Sequence, residues 1–495
     1  MKKKSPSDIA PIIAVDRKGP KALHRQIYDG YRAAIVEHRL QSGQRIPSTR
    51  SLASELGVSR FPVLNAYAQL LAEGYFESRV GAGTVVSTSL PEQFGSSEPT
   101  ADRFAALRSG PRPVAHRCSI LPRIGRPAWM RGWGAFSVGQ VAVDRFPHRV
   151  WANLVARRTR NMDGRSFHYG DGIGPEALRE AIAMYLRTAR SLRCEAEQIM
   201  IVNGSQQALE ISARVLLDPG SQVWVEEPGY HLARNVLALA GCDLIPVPVD
   251  KEGLNVTAGI KRCRRARVAL VTPSHQFPLG VSMSASRRFQ LLEWAQNTGS
   301  WIIEDDYDSE YRYESQPIAS LQGLDRNARV IYIGTFSKVL FPSLRLGYVV
   351  IPTDLVDFFL TIRRAMDLGP ANFHPEVLAD FIGEGHFGRH IRRMRVLYRE
   401  RRSVLVESIR KELGSMVEVL GGEAGMHLTV TLQNGTSDME IAERAAQQAL
   451  WLWPLSSSYL GKAARRGFIL GFGSTQVAEI PRAVRRLRDL LVTKR

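Results

Sequence analysis

Thr335-Phe336-Ser337-Lys338, with Leu344-Arg345-Leu346-Gly347-Tyr348 shortly after it, stands directly behind the apolar run Val330-Ile331-Tyr332-Ile333. A short apolar run of this kind predicts a buried strand. A lysine just past its end, flanked by Phe336 and Val339, loses part of its hydration. Desolvation disfavours the ammonium form and lowers the pKa, which favours the neutral amine that condenses with a carbonyl. The hydroxyls of Thr335 and Ser337 and the cation of Arg345 suit a phosphate. Lysine is scarce here: of 66 basic residues only 11 are Lys, and none lies between Lys21 and Lys251. A reactive amine therefore has few candidates, and Lys338 is the one set behind a strand.

Two upstream fragments point to the same chemistry. Glu304-Asp305-Asp306-Tyr307 follows the apolar run Trp301-Ile302-Ile303. A carboxylate placed there holds a pyridine nitrogen protonated, and a phenol bonds a ring hydroxyl. Asn203-Gly204-Ser205-Gln206-Gln207-Ala208-Leu209 follows Ile199-Met200-Ile201-Val202 and reads as a strand-to-helix turn whose amides cradle phosphate. With Val223-Trp224-Val225 and Val268-Ala269-Leu270-Val271, these runs alternate with helical stretches. The pattern predicts an α/β domain over 115–495, with a mostly parallel sheet covered on both faces. The last hundred residues read as a smaller α+β lobe. Its helix 386–412 carries seven arginines between Arg389 and Arg402, expected to form a solvated face.

The first 88 residues form a separate pattern. Leu23, Ile27, Tyr31 and Ile35 recur every four residues, one face of an amphipathic helix. Pro47-Ser48 opens a short helix with Leu52 and Leu56, closed by Gly57. Ser59 caps a further helix that buries Val63, Tyr67, Leu70 and Leu71 and stops at Gly74. Tyr75 to Val80, a Gly81-Ala82-Gly83 turn and Thr84-Val85-Val86 read as a β-hairpin. This is the plan of an α+β winged helix-turn-helix. Pro91, Gly95, Pro99, Gly110, Pro111 and Pro113 mark 89–114 as a linker, with space for a short helix around 101–107.

The 495 residues carry a net charge of +18 with 23% charged side chains, which excludes a disordered chain and a small disulfide scaffold. No apolar run is long enough for a membrane span, and Ser5-Pro6-Ser7-Asp8 stands where a signal peptide needs apolar residues. Cys118, Cys194, Cys242 and Cys263 show no metal spacing and are expected to be reduced thiols of a cytoplasmic protein, at the nucleoid when on DNA. No metal is expected. Residues 1–90 hold thirteen basic and seven acidic side chains, enough for salt-dependent binding to duplex DNA.

Pro47-Ser48-Thr49-Arg50-Ser51-Leu52-Ala53, Leu56-Gly57-Val58-Ser59-Arg60 and Gly81-Ala82-Gly83-Thr84-Val85-Val86 closely resemble the GntR family of bacterial regulators. The resemblance assigns DNA contacts to Arg50, Ser59 and Arg60, and to the wing near Gly81. Residues 115–495 resemble a fold-type I aminotransferase domain that binds pyridoxal 5'-phosphate. That likeness makes Lys338 the Schiff-base lysine and Asp305 the pyridine partner. It sets Tyr307 near the ring hydroxyl, stacks Tyr230 of Glu227-Pro228-Gly229-Tyr230 on the ring, and gives the phosphate to Ser205, Gln206, Thr335, Ser337 and Arg345. It also has Tyr169 lent across a dimer interface. The two parts in one chain resemble the MocR subfamily of transcriptional regulators.

Several positions depart from these patterns. Phe61-Pro62 follows Arg60 where small polar residues are usual, and Leu64 stands where some relatives place a base-reading arginine. Phe277, in Thr272-Pro273-Ser274-His275-Gln276-Phe277-Pro278, replaces the asparagine that meets the ring hydroxyl; His275 or Gln276 is the substitute. Ile469 replaces the arginine that grips the substrate carboxylate, and Leu232 beside Tyr230 is also apolar. The expected function is a transcriptional regulator that senses an amino compound, or pyridoxal phosphate itself, through an aldimine at Lys338. Its expected partners are operator DNA and a second copy with exchanged heads. The alternative is an active aminotransferase with an accessory DNA-binding unit: Lys338 and Asp305 permit it, whereas Phe277 and Ile469 argue against it. A repressor with a purely structural body would not need Lys338.

Overall fold

The computed structural model describes residues 13–79, 83–89, 113–115, 118, 127–313, 319–433 and 436–492. Gly81, most of the expected linker and its short helix lie outside the described residues. The chain divides into two compact units, Met1–Pro113 and Val114–Arg495.

In the first unit, α1 (Leu23–Val36), α2 (Thr49–Glu55) and α3 (Arg60–Ala72) precede the antiparallel pair β1 (Phe76–Arg79) and β2 (Gly83–Val86), in register Phe76 to Val86. Ile27, Tyr31 and Ile35 of α1 are buried against Val63, Tyr67 and Leu70 of α3. Tyr31, Tyr67 and Phe76 meet edge to face with centroids 5.2–5.7 Å apart, the arrangement ring quadrupoles favour. Leu71 is the exception to the expected core: it turns outward, 38% exposed, and Ala66 is buried on the inner face instead. Ser48 caps α2 by accepting from the Ser51 amide at 3.1 Å.

The second unit is built on an eight-stranded sheet in the order β3-β10-β9-β8-β7-β4-β5-β6. Its strands are β3 (Ile199–Val202), β4 (Gln222–Glu227), β5 (Asp243–Asp250), β6 (Gly253–Leu254), β7 (Val268–Val271), β8 (Trp301–Asp306), β9 (Val330–Thr335) and β10 (Gly347–Val350). β5, β4, β7, β8 and β9 are mutually parallel; β10 runs antiparallel to both β3 and β9, and β6 to β5. Neighbouring side chains enter opposite cores. Ile302 packs with Trp224 and Leu291, while Ile303 packs with Val225 and Ile331. Both faces being covered explains why these strands are apolar runs rather than alternating ones.

A four-stranded antiparallel lobe, β11 (Val417–Leu420), β12 (His427–Leu432), β14 (Gly467–Gly471) and β13 (Trp453–Pro454) in that order, completes the unit. Helix His386–Glu412 runs beside it and corrects one expectation. Its arginines are not simply a solvated face. Arg395 and Arg399 donate to the carbonyls of Glu310 and Tyr313, and Arg401 is fully buried against the Gly473 carbonyl. Their long stems bury while the heads tie loops together.

Candidate functional site

The carboxyl ends of β4, β7, β8 and β9 bring Glu226, Thr272, Asp305 and Thr335 to one edge of the sheet, where open α/β sheets hold their ligands. Lys338 follows β9 by three residues. Its Nζ donates to the Gly139 carbonyl at 3.0 Å. Burial lowers its pKa, and the carboxyls of Asp308 and Asp305 pull in the other direction. Gly139 has φ +77°, a backbone region that favours glycine, and a Cβ there would lie 2.6 Å from Nζ, so the lysine tip would have to shift.

Asp305 is 7% exposed. Its Oδ1 has no hydrogen-bond partner among the described residues. Burial, then Asp306, Glu226 and Asp308, push its pKa up to about 7, with Lys338 opposing. Glu226 also rises to about 7 through burial, although it accepts from the Thr272 amide and hydroxyl and from the Gln276 amide. The Tyr230 ring is half-buried, and burial followed by the charge of Asp305 raises its phenol to about 12. The Tyr307 hydroxyl donates to the His275 carbonyl at 2.9 Å, and His275 Nδ1 lies 3.0 Å from Asp308.

At the other end, Gly204 takes φ +84° and starts helix Ser205–Leu216, so Ser205 and Gln206 occupy its first turn. Arg345 donates to the Asn203 carbonyl at 2.9 Å, and a Cβ on Gly204 would sit 3.5 Å from its guanidinium. The Ser337 amide donates to Thr335 Oγ1 at 3.2 Å. The start of this helix and the Arg345 guanidinium thus lie together, where an anion gains most.

These features fit pyridoxal 5'-phosphate. The unpartnered Asp305 oxygen would meet a pyridinium nitrogen, Lys338 would meet the carbonyl, and the cradle at Gly204 leaves room for phosphate oxygens beside Arg345. Tyr169 stands apart: it is 89% exposed and touches none of this set within the subunit, as far as the described contacts show.

Of the substitutes expected at Phe277, Gln276 is spent. Its amide donates to Glu226, Pro228 and Phe277, and its oxygen accepts from Leu279. His275 gives Nδ1 to Asp308, and its Nε2 is buried without a partner among the described residues. Ile469 is fully buried on β14, paired with Thr429 and Trp453. Sequence reasoning missed Gly139, Glu226, Asp308 and Trp453. Asp308 lay within reach, three residues beyond Asp305; Gly139 and Trp453 carry no local signal.

In the first unit Arg50, Ser59 and Arg60 are all exposed. Ser59 caps α3 without using its hydroxyl, and Arg60 Nε donates to Thr49 Oγ1 at 3.1 Å, bracing α2 on α3. Phe61 (70% exposed) and Leu64 (42% exposed) share the outer surface of α3, a hydrophobic strip beside the arginines.

Residues 134–484 match the aminotransferase class I and II family, and residues 23–86 match bacterial regulatory proteins of the gntR family. The chain is 38% identical to the probable rhizopine catabolism regulatory protein MocR of Rhizobium meliloti, over 97% of this chain and 95% of that protein. It is 30% identical to the HTH-type pyridoxine biosynthesis transcriptional regulator PdxR of Corynebacterium glutamicum, over 93% of this chain and 94% of that one. The kynurenine aminotransferase of Pyrococcus horikoshii, solved with PMP, superimposes with a TM-score of 0.68 at 26% identity, covering 81% of this chain and 98% of that chain. LysN of Thermus thermophilus, solved with N-(5'-phosphopyridoxyl)-L-leucine, gives 0.69 at 27% identity over 76% and 97%. The fold is therefore a fold-type I aminotransferase-like domain with a GntR winged helix, the cofactor is pyridoxal 5'-phosphate, and the function is DNA-binding transcriptional regulation. The chain belongs to the MocR subfamily of GntR-type transcriptional regulators.

Proposed function

We propose that Lys338 is the amine that carries the cofactor, and that the regulator senses an amino compound by exchange at that position. When bound, pyridoxal 5'-phosphate supplies a carbonyl carbon on which primary amines exchange reversibly. Asp305 holds the proton at the ring nitrogen, Tyr307 directs its phenol at the ring hydroxyl, and Tyr230 covers one ring face. Ser205, Gln206, Thr335, Ser337 and Arg345 hold the phosphate. The observation that carries this reading is the pairing of a desolvated amine with a buried, unpartnered carboxyl oxygen at one sheet edge.

Gly139 offers a route for the signal. The free Lys338 amine is hydrogen-bonded to the Gly139 carbonyl, and tying that nitrogen to the cofactor would change the contact. The segment around Gly139 thus makes different contacts in two states, the condition for a ligand to shift an equilibrium. Residues 1–88 bind operator DNA through Arg50, Ser59, Arg60 and the wing at Gly81; residues 89–114 link them to the sensor at 115–495. The exposed Tyr169 supports a homodimer that shares its sites, with heads exchanged between subunits. A regulator of operator DNA acts in the cytoplasm, at the nucleoid.

Visible absorbance of the loaded protein, read alongside a gel shift, tests this. Amines are expected to shift the visible band and the DNA affinity together, and Lys338→Ala to lose both responses. An unchanged spectrum in Lys338→Ala overturns the assignment. Sustained transamination turnover would favour the enzyme reading instead.

A further inference from the structure

We propose that the effector is a primary amine lacking an α-carboxylate, with an apolar or aromatic body that lies against a wall of rings beside Lys338. This deepens the reading of Lys338 as the exchanging amine and rests on it. The wall is made of Tyr230, His231, Phe277, His427 and Trp453. Phe277 stands at its centre, with ring centroids 5.3 Å from Tyr230, 5.4 Å from His427 and 5.9 Å from Trp453. Trp453 reaches His231 at 5.5 Å. Tyr230, His231 and Trp453 are only half-buried, so part of each ring remains accessible.

The side chains directly below this wall are carboxyls. Below it lie Glu226, Asp305 and Asp308, close enough that Asp305 feels the other two. These carboxyls offer a substrate carboxylate no cation, and whichever of them is ionised repels it. Neither imidazole counters this. Burial pushes His231 down to about 4 and His427 to about 3, so both are neutral at neutral pH.

Arg234, the guanidinium beside Tyr230 and Glu226, is not free to clasp a carboxylate with two donors. Arg234 spends one terminal nitrogen on Glu227 at 3.1 Å and the other on the Gly229 and Ser458 carbonyls, which leaves Nε alone. Arg345 faces the phosphate end. On the small lobe, Thr429 Oγ1 donates to the Pro278 carbonyl at 2.5 Å, so this face of β12 looks toward Phe277-Pro278. Ile469, directly across the strand pair from Thr429, lies on that same face and is aliphatic. Cross-strand partners share a face because side chains alternate along a strand. What remains for recognition is ring area, which rewards a flat or apolar body.

The test uses the full-length, cofactor-loaded protein and two probes that differ only in the carboxylate, phenethylamine and L-phenylalanine. Calorimetric binding and the visible band are both followed. Phenethylamine is expected to bind at least about tenfold more tightly than L-phenylalanine. Trp453→Ala is expected to weaken phenethylamine by about tenfold and butylamine far less. Equal or tighter binding of L-phenylalanine overturns the proposal and leaves the role of Lys338 standing. Silence of the visible band toward both probes removes the role of Lys338 and this inference with it. An unchanged preference for phenethylamine over butylamine in Trp453→Ala removes the ring wall.

Discussion

At the scale of single residues the site is governed by burial. In the cofactor-free protein Asp305 keeps its proton up to about pH 7 because burial and neighbouring carboxyls disfavour its charge. In the unfolded chain it ionises near the ordinary Asp value. Between those two points the folded state binds more protons, so the stability present at the acid end is lost as pH rises toward 7. Asp305→Asn removes that share. Its apo form is expected to lose less stability between about pH 4 and 7, by on the order of 1–3 kcal/mol, measured by denaturant melts at each pH. Glu226 titrates in the same window, so a slope remains. Gly139 is the second sensitive residue. Gly139→Ala combines a strained left-handed backbone with a Cβ against Lys338 Nζ, and cofactor retention is expected to weaken about fivefold or more on dialysis.

Among the elements, α3 carries the clearest division of labour. Its inner face holds Val63, Tyr67 and Leu70, and Leu70→Ala is expected to cost about 2–5 kcal/mol by denaturant melt. Its outer face holds Arg60, Phe61 and Leu64. Arg60→Ala is expected to weaken DNA binding and reduce the slope of log affinity against log salt by about 1, with Arg50→Ala acting alike. A gel shift at several salt concentrations checks both, and unchanged slopes would remove their phosphate contacts. The inner face was legible from the four-residue apolar period. Leu71 was not, because the period alone does not say where an apolar stripe ends. β7, β8 and β9 were legible for a related reason: strands buried on both faces are continuous apolar runs. β10 was hidden in the motif around Arg345, since Gly347-Tyr348 entered only as the setting of that arginine and only the sheet shows the strand running between β9 and β3.

For the whole molecule the exposed Tyr169 makes a sharp prediction about assembly. Sedimentation is expected to give twice the chain mass. Tyr169→Phe alone is expected to weaken cofactor binding by about threefold to tenfold, as loss of one hydrogen bond does. Mixing it with Lys338→Ala chains should restore full affinity in one of the two sites of each mixed dimer, because that site combines Lys338 from one subunit with Tyr169 from the other. No restoration on mixing would keep Tyr169 out of the shared site. The arginine surplus also resolves at this scale: Arg190 pairs with Asp306 at 2.7 Å, Arg158 with Asp380, and Arg401 is buried. These arginines therefore serve packing inside the second unit rather than contact with DNA.

The amino-acid sequence by itself determined the two-part plan, the winged helix, the run of parallel strands and the lysine, carboxylate and strand-to-helix turn that follow them. All of these rest on neighbours within a few positions, where periodicity and turn chemistry act. Only the tertiary structure decided that Gly139 meets Lys338 across 199 positions, that Glu226, Asp305 and Asp308 lie close together, and that Trp453 meets Phe277 and pairs across the strands with Ile469. Desolvation and Coulomb interactions depend on distance in space, and the fold sets those distances by bringing separate strand ends to one edge.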